Sequence, residues 1–426
     1  MLIQRLPQHF DADPKKVILL YLDPGQSDRL TRFAAYAEKL SDEQADQLLD
    51  HTATLFGHRH RRYNELLLAH AAIGKKTMSP APVLTAKQEL VFGSYLTKEY
   101  SVEAAALFNP SIVPHPDQSG LATGETRFVL TLRSVGEGHI SSIGFMEGVI
   151  DAQNKITFTP QGPWRTAGTK VDLPGGDDDH YDIVFDDSIP LSERVIFPQA
   201  SSESMGMEDL RMVRVFDDEG IRYLGTYTAY NGRNIRSKML ETTDFKHFHI
   251  RDLQGSEVDN KGMAYFPRKV GGKYTMLSRQ GGEACGIMQS DDYMTWNQKQ
   301  AHQQPFRDFE LVQIGNCGSP IETSEGWLML THHVGPMRRY TLGVSLLDLE
   351  QPQTIRAILD KPLMEPLESE REGYVPNVLY TCGWMQHGGN ILIPYAMSDV
   401  AVGFAIADIN HLVDYLLTCQ ASKTGG

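Results

Sequence analysis

Gly206-Met207-Glu208-Asp209-Leu210-Arg211 runs directly into the strand-like Met212-Val213-Arg214-Val215, so two carboxylates and a guanidinium stand at the mouth of an apolar run. An unpaired charge in a core costs on the order of several kcal/mol, so pairing or chemistry has to account for these groups. The plain reading is that Arg211 neutralises one of the two acids at a strand end. The hexapeptide gains weight from what lies downstream. Several Arg, Lys and His residues, each beside an aromatic or glycine-rich strand, are placed to converge on one anion.

Around this stretch the chain reads as β. From Phe108 onward short alternating strands are punctuated by Gly, Asp and Asn, and helix signals are rare until the last residues. A loose repeat recurs, in which an apolar strand with small residues leads through an Asp-containing turn to an aromatic or apolar residue. Its instances are Ile143-Gly144-Phe145 to Asp151, Ser237-Lys238-Met239 to Phe248, Gly286-Ile287-Met288 to Trp296, Gly343-Val344-Ser345 to Leu349, and Gly403-Phe404-Ala405 to Leu412. Spacings of roughly 50 to 60 residues match four-stranded propeller blades. The longer first gap holds an insertion between residues 161 and 199, marked by Pro174, Gly175, Gly176 and Asp177-Asp178-Asp179. The expectation is an all-β, five-bladed β-propeller over residues 108–426. A pair of β-sandwiches is the alternative that the fivefold turn pattern disfavours.

Residues 1–107 are predicted to form an N-terminal α-helical extension. Leu30, Phe33, Ala34 and Ala37 share one helical face, and Leu48, Leu49, Thr52, Leu55 and Phe56 another. Ser41 with Gln44 reads as a capping box between two helices. A further helix is expected from Thr85 towards Leu96, and a short one from Ser101 to Leu107. His58 and His60, in a run with Arg59, Arg61 and Arg62, are two residues apart and do not share a helical face for a metal, so they read as a solvated or interface face. The apolar faces exceed what one propeller needs to close. A homo-oligomer is therefore expected, with Leu48, Leu55 and Phe56 buried against the propeller or a neighbouring subunit.

The totals exclude several function classes. The 426-residue chain carries a net charge of −14 and no basic block, which argues against nucleic acid or an anionic membrane as partner. Cys285, Cys317, Cys382 and Cys419 are scattered singly, without the paired spacing of a zinc site or redox couple, and read as reduced core thiols. No metal or organic cofactor is expected. The chain shows neither a leader pattern nor a run of about 18 apolar residues, so a cytoplasmic protein is the expectation.

A propeller gathers strand ends from every blade around one cavity, which makes the scattered polar motifs comparable. They are Phe108-Asn109-Pro110-Ser111, Arg133 through His139, the box with Asp209, Tyr227 through Asn234, Asn260-Lys261-Gly262 running into Phe266-Pro267, Arg279, Gly326-Trp327-Leu328 through His332-His333, Tyr374-Val375-Pro376-Asn377, and Tyr395 through Ser398-Asp399. Trp296, Trp327 and Trp384 are expected to pack blades rather than to form sugar platforms.

On these motifs the sequence resembles glycoside hydrolase family 130, the inverting β-mannoside phosphorylases and β-mannosidases built on a five-bladed propeller. The marks are Glu208-Asp209-Leu210-Arg211, Asn260-Lys261 before Phe266-Pro267, Gly326-Trp327-Leu328 ending at His332, and Val375-Pro376-Asn377 with Ser398-Asp399. Leu210 stands where the family box more usually has proline, and Thr331 and His333 replace a tyrosine and a glycine. The run Val334-Gly335-Pro336-Met337-Arg338-Arg339-Tyr340 looks like the branch that includes β-1,2-oligomannan phosphorylases.

The resemblance implies that Asp209 is the single general acid, acting through a sugar hydroxyl as proton relay. It implies that Asn109, Arg133 and Asp399 hold mannosyl hydroxyls. Lys261 and His332, with Arg279, Arg233 and Asn234, are the expected phosphate ligands. An inverting hydrolase needs a second carboxylate to activate water, whereas phosphate arrives already anionic and asks for cations instead. The expected reaction is phosphorolysis of a β-mannoside to α-mannose 1-phosphate and a shortened acceptor. A β-mannosidase of the same fold and a non-catalytic carbohydrate-binding propeller are the alternatives.

Overall fold

Alternating apolar and polar residues from Ala106 onward build five antiparallel meanders in the computed structural model, which describes residues 2–25 and 28–424. The chain divides into two units. One comprises Met1–Asp13, Ala104–Gln161 and Gly168–Gly426, and the other Pro14–Glu103 with Gly162–Ala167.

In the larger unit the first meander is Ala106–Pro114, Thr126–Val135, Ser141–Ile150 and Ile156–Phe158. The second is Gly206–Asp217, Gly220–Tyr230, Ile235–Thr242 and His247–Asp252, widened by Tyr181–Val184 and Thr169–Asp172 from the insertion. The third runs from Ala264–Tyr265 through Tyr274–Ser278 and Cys285–Ser290 to Lys299–Gln303. The fourth centres on Gly326–Val334 and Tyr340–Leu347, flanked by Gln313–Asn316 and Ile355–Ile358. The fifth pairs Asn390–Met397 with Ala401–Asp408, and its outer edge is Gln4–Asp11 from the other end of the chain. Residues 4–11 thus belong to the β-unit rather than to a helical extension over 1–107. Their Phe10 packs on Phe404 of the same sheet, with ring centroids 6.1 Å apart.

The apolar cores lie between meanders, because each antiparallel sheet has to cover its faces. Val129 and Phe145 of the first share a cluster with Tyr223 and Leu240 of the second. Val215 and Leu224 of the second meet Met276 and Trp296 of the third. Ile287 of the third meets Trp327 and Met329 of the fourth. Leu342 and Val344 of the fourth meet Trp384 and Ile393 of the fifth, and Leu392 and Phe404 of the fifth meet Leu130 and Met146 of the first. Trp296 and Trp327 are wholly buried and Trp384 nearly so, so these rings pack the sheets. Truncating a ring of this size typically costs about 3 to 5 kcal/mol. Cys285, Cys317 and Cys382 are buried free thiols.

Ala106–Pro114 and Gly326–Val334 are buried almost throughout, so their Asn, Thr and His side chains have to find partners inside. The first and second meanders touch through one parallel register, Gly206 opposite Ser141. At Gly206, φ is 135°, and a Cβ would lie 2.6 Å from the Ser141 nitrogen, so only glycine permits the approach that sets where the box strand begins.

In the smaller unit four α-helices, Arg29–Glu38, Asp42–Phe56, Tyr63–Lys76 and Ala86–Tyr95, lie in the chain between the two strands of an antiparallel pair, Val17–Tyr21 and Thr97–Ser101. Reciprocal capping boxes start two of them, Ser41 with Gln44 and Thr85 with Gln88. Gly93 approaches Leu67 so closely that a Cβ would fall 2.0 Å from its carbonyl oxygen. Two expectations fail here. Ser101 to Leu107 is no helix, since Thr97–Ser101 and Ala106–Pro114 are both strands that find ladder partners. His60 is not solvated: it is buried, and its Nε2 lies 2.9 Å from Glu99 Oε1, while Arg59 Nη1 donates to Glu99 Oε2 at 2.6 Å. Leu48 packs on the helical core, whereas Leu55 and Phe56 are exposed.

Candidate active site

Two strands carry the same irregularity. The ladder of Ala106–Pro114 slips between Phe108 and Ser111, and that of Gly206–Asp217 slips between Glu208 and Arg211. Inside each slip one residue takes a left-handed backbone, Asn109 at φ 47° and Asp209 at φ 57°. Asn and Asp tolerate that region better than other side chains, and a bulge re-aims the side chain it carries. Both side chains turn to the same point: Asn109 Nδ2 donates to Asp209 Oδ1 at 2.6 Å. Asp399, also left-handed at φ 53°, closes the turn between the two long strands of the fifth meander.

The cavity they line has a volume of about 210 Å³ and is also bounded by Arg133, Lys261 and Arg279. Arg133 is fixed on every nitrogen. Its Nε donates to Ser141 Oγ at 2.9 Å, its Nη1 to Asp209 Oδ1 at 3.1 Å and its Nη2 to Glu208 Oε1 at 2.7 Å, with the guanidinium 5.0 Å from the Phe108 ring centre. Ser141 is the residue opposite Gly206, so one close backbone approach places the acid and the guanidinium together. Both hydrogen bonds to Asp209 fall on Oδ1, and Oδ2 receives none from the described residues.

The Arg211 guanidinium makes no hydrogen bond to either carboxylate of the box. Its Nη1 donates to the backbone oxygen of Asp209 at 2.8 Å, its Nε to the Cys317 oxygen at 2.7 Å and its Nη2 to the Tyr380 hydroxyl at 2.6 Å. It is wholly buried and braces the left-handed turn from behind. The two acids of the cavity are driven apart electrostatically. Burial favours the protonated form of Asp209, but the charges of Arg133, Arg211 and Lys261 and the Asn109 hydrogen bond outweigh it and hold Asp209 well below the usual carboxylate range. For Asp399 burial comes first and the nearby Asp209 charge second, and together they push it up to about 6 against the pull of Arg133, Arg338 and Lys261. Such a split marks acid–base sites.

His332 stands behind the cavity. Its Nε2 is 2.8 Å from Arg279 Nη1, and since a guanidinium can only donate, Nε2 accepts and the ring proton sits on Nδ1. Burial, then Arg279 and Arg211, hold the His332 pKa far below its ordinary value. The ring is therefore neutral, and it orients Arg279 rather than presenting a charge of its own. Arg233 and Asn234 do not reach the cavity. Their backbone N–H groups donate to Asn231 Oδ1 at 3.0 and 2.8 Å in the exposed turn after Gly220–Tyr230, because the asparagine side chain closes that hairpin.

The cavity also includes Gln313, Arg338, Tyr340 and Tyr380, which motif reading did not single out as site residues. Arg338 ends the 3₁₀ turn Pro336–Arg338, in which Met337 and Arg338 are left-handed, a turn that closes as Glu137–His139 does, with Gly335 N donating to Arg339 O and Gly136 N to Ile140 O, both at 3.1 Å. The common Val-Gly at Val135-Gly136 and Val334-Gly335 is the signal that could have linked them. Nothing local distinguishes Gln313. A larger cavity of about 370 Å³, lined mainly by apolar groups such as Ile112, Met212, Pro320 and Trp384, holds no comparable set of acids and cations.

Comparison with known proteins gives concordant matches. The profile of glycoside hydrolase family 130, described as β-1,4-mannooligosaccharide phosphorylase, matches residues 188–418. A 1,2-β-oligomannan phosphorylase of Thermoanaerobacter is 32% identical over 52% of this chain and 75% of its own. A β-1,2-mannobiose phosphorylase of the same organism is 31% identical over 73% of this chain and 93% of its own. The solved β-1,2-mannobiose phosphorylase of Listeria innocua, in complex with β-1,2-mannobiose, superposes with a TM-score of 0.51 at 20% identity, over 74% of this chain and 93% of that one.

Proposed function

We propose, starting from a chain that belongs to glycoside hydrolase family 130, that the cavity around Asp209 binds a β-mannoside and inorganic phosphate side by side. The protein is a β-mannoside phosphorylase, an enzyme of the glycosyltransferase type. The finer assignment is to β-1,2-linked mannobiose or manno-oligosaccharides, with α-mannose 1-phosphate as product. The names of the two Thermoanaerobacter relatives support that linkage. Phosphate serves as co-substrate. The five meanders, whose cores link first to second and onward until the fifth meets the first, are read as the blades of a five-bladed propeller.

The observation that carries the reading is the Asp209 carboxylate set among Arg133, Lys261 and Arg279 in a single cavity. A phosphate oxygen attacks the anomeric carbon from the α face as the bond to the leaving oxygen breaks. That oxygen takes its proton from Asp209 through a sugar hydroxyl. Before phosphate binds, Asp209 lacks this proton, and of the cations that keep it ionised, Arg133, Arg211 and Lys261, it is Lys261 that is placed to take phosphate. A bound phosphate offsets their charge and raises the Asp209 pKa towards the range a general acid needs. Asn109, Arg133 and Asp399 hold the mannosyl hydroxyls, Lys261 and Arg279 the phosphate, and His332 keeps Arg279 in place.

The test is product analysis on β-1,2-mannobiose. Mannose 1-phosphate formation should track phosphate concentration and nearly stop without it. Rapid release of free mannose in phosphate-free buffer would move the assignment to a β-mannosidase.

Asp399 gives a pH signature. As an acceptor for sugar hydroxyls it works ionised, which holds above its pKa of about 6 and is lost as pH falls through that value. At saturating phosphate, kcat/KM for the mannoside should drop on the acid side near pH 6, and Asp399→Asn should remove that limb along with most of the activity. An acid limb unchanged in Asp399→Asn would assign it to another group.

Among the described residues no helix is long and apolar enough to cross a membrane. A cytoplasmic homo-oligomer is proposed, supported by the exposed Leu55 and Phe56 of the helical unit. Light scattering at micromolar concentration should give a mass above 47.7 kDa, and a monomer mass would count against assembly.

A further inference from the structure

Glu208 is the one charged residue of the box that the reaction as derived leaves without a role. Its side chain is mostly buried, at 15% exposure, and its two oxygens are divided between two cations: Oε1 accepts from Arg133 Nη2 at 2.7 Å, and Oε2 lies 3.8 Å from Lys261 Nζ. The contacts differ in kind. Arg133 is anchored at Ser141, Asp209 and the Phe108 ring as well, and it would keep its place without Glu208. Among the described residues no hydrogen bond holds the Lys261 side chain, and the backbone is pinned at its two neighbours. Ser237 Oγ donates to the carbonyl of Asn260 at 2.9 Å, and Asn316 Nδ2 donates to that of Gly262 at 2.7 Å. Its side chain is 35% exposed, and at 3.8 Å the ammonium is beyond a good hydrogen bond to Glu208. The lysine is thus a cation on a flexible stem, beside a carboxylate that faces it loosely and on the wall of a cavity that takes an anion.

We propose that Glu208 is a positioning residue that sets phosphate affinity: in the empty site it holds the Lys261 ammonium at the cavity edge as a resident counter-charge, and phosphate displaces it. The inference rests on the phosphorylase reading. Phosphate brings more negative charge and more acceptor oxygens than one carboxylate oxygen at 3.8 Å, so the exchange favours phosphate while lowering its net affinity. Weak holding suits a co-substrate that leaves as part of a product. A residue that merely propped up Arg133 would behave differently, since its loss would disturb mannoside binding and leave phosphate binding alone.

The experiment is calorimetric titration of the full-length protein with inorganic phosphate, alongside steady-state kinetics. Glu208→Gln keeps an oxygen to accept from Arg133 Nη2 and removes the charge. It should bind phosphate about two- to fivefold tighter, the range expected for a partly exposed ion pair, with KM for phosphate lowered in step and KM for the mannoside within about twofold of wild type. In a Lys261→Gln background the same substitution should lose most of that effect, because the two residues act as a pair. Should the glutamine variant not fold, Glu208→Asp retracts the carboxylate from Lys261 and should shift phosphate affinity in the same direction. Phosphate affinity that is unchanged or weaker in these variants would overturn the role of Glu208 alone. A wild-type protein that binds no phosphate and releases free mannose without it would remove the phosphorylase reading and this inference with it.

Discussion

Asp209→Asn is expected to abolish turnover, by at least about a hundredfold and more if no other acid reaches the leaving oxygen, while the protein stays folded. The amide keeps the shape of the carboxylate and still offers an oxygen to Asn109 Nδ2 and Arg133 Nη1, the two donors that hold Oδ1. It also suits the backbone, because asparagine tolerates the left-handed conformation at φ 57° about as well as aspartate. Alanine would be a worse probe there, since strain at that φ would mix folding with catalysis. A circular dichroism melt establishes folding, and initial rates of mannose 1-phosphate formation measure the loss. Activity within about tenfold of wild type would remove Asp209 from the role of acid.

Lys261→Ala should raise the apparent KM for phosphate by about ten- to a hundredfold and change that for the mannoside far less. Charge-assisted contacts contribute about 1.5 to 3 kcal/mol each, and every 1.4 kcal/mol is about a tenfold change in affinity. Lys261 also contributes to keeping Asp209 ionised, so its loss should ease protonation of the acid and leave kcat less affected than phosphate KM. Initial rates over a phosphate series at fixed mannoside give both constants. Equal losses in the two KM values would show that Lys261 supports the cavity as a whole rather than phosphate in particular.

Much of this site was legible in the sequence because its chemistry depends on residue type. Carboxylates at a strand mouth and basic residues at distant strand ends have few structural uses. Asn109, Arg133, Asp209, Lys261, Arg279 and Asp399 do line one cavity. The change to strands near Phe108, the capping box at Ser41 and the helix starting at Thr85 were readable because local hydrogen bonding decides them. What stayed hidden depends on burial and distance. His332 reads as a cation in any sequence, yet full burial beside Arg279 makes it neutral. Arg233 and Asn234 sit in a turn of the right composition, but Asn231 spends its side chain on closing that turn and they remain outside. Arg211 looks like the hydrogen-bonded partner of its own acids, but it acts on Asp209 through its charge alone and makes its side-chain hydrogen bonds to the Asp209 backbone and to Cys317 and Tyr380, more than a hundred positions away.

The strand Gln4–Asp11 carries a consequence for how the protein is made. Its partner, Ala401–Asp408, leaves the ribosome long after it, and Arg5, which grips Glu370 through Nε at 2.7 Å and Nη2 at 2.8 Å, waits 365 positions for that glutamate. Until then the fifth meander does not exist and the strand has no ladder to join. At about 5 to 20 residues per second that interval is on the order of 20 to 70 seconds, long beside the collapse of the earlier meanders. During it, an extended segment with unpaired N–H and C=O groups is free to join the wrong sheet. Its Arg5, His9 and Asp11 side chains oppose such pairing, because charge along an edge strand discourages adventitious partners. Closing the β-unit is thereby postponed until Ala401–Asp408 has been made, because the seam with Gln4–Asp11 joins segments far apart in sequence.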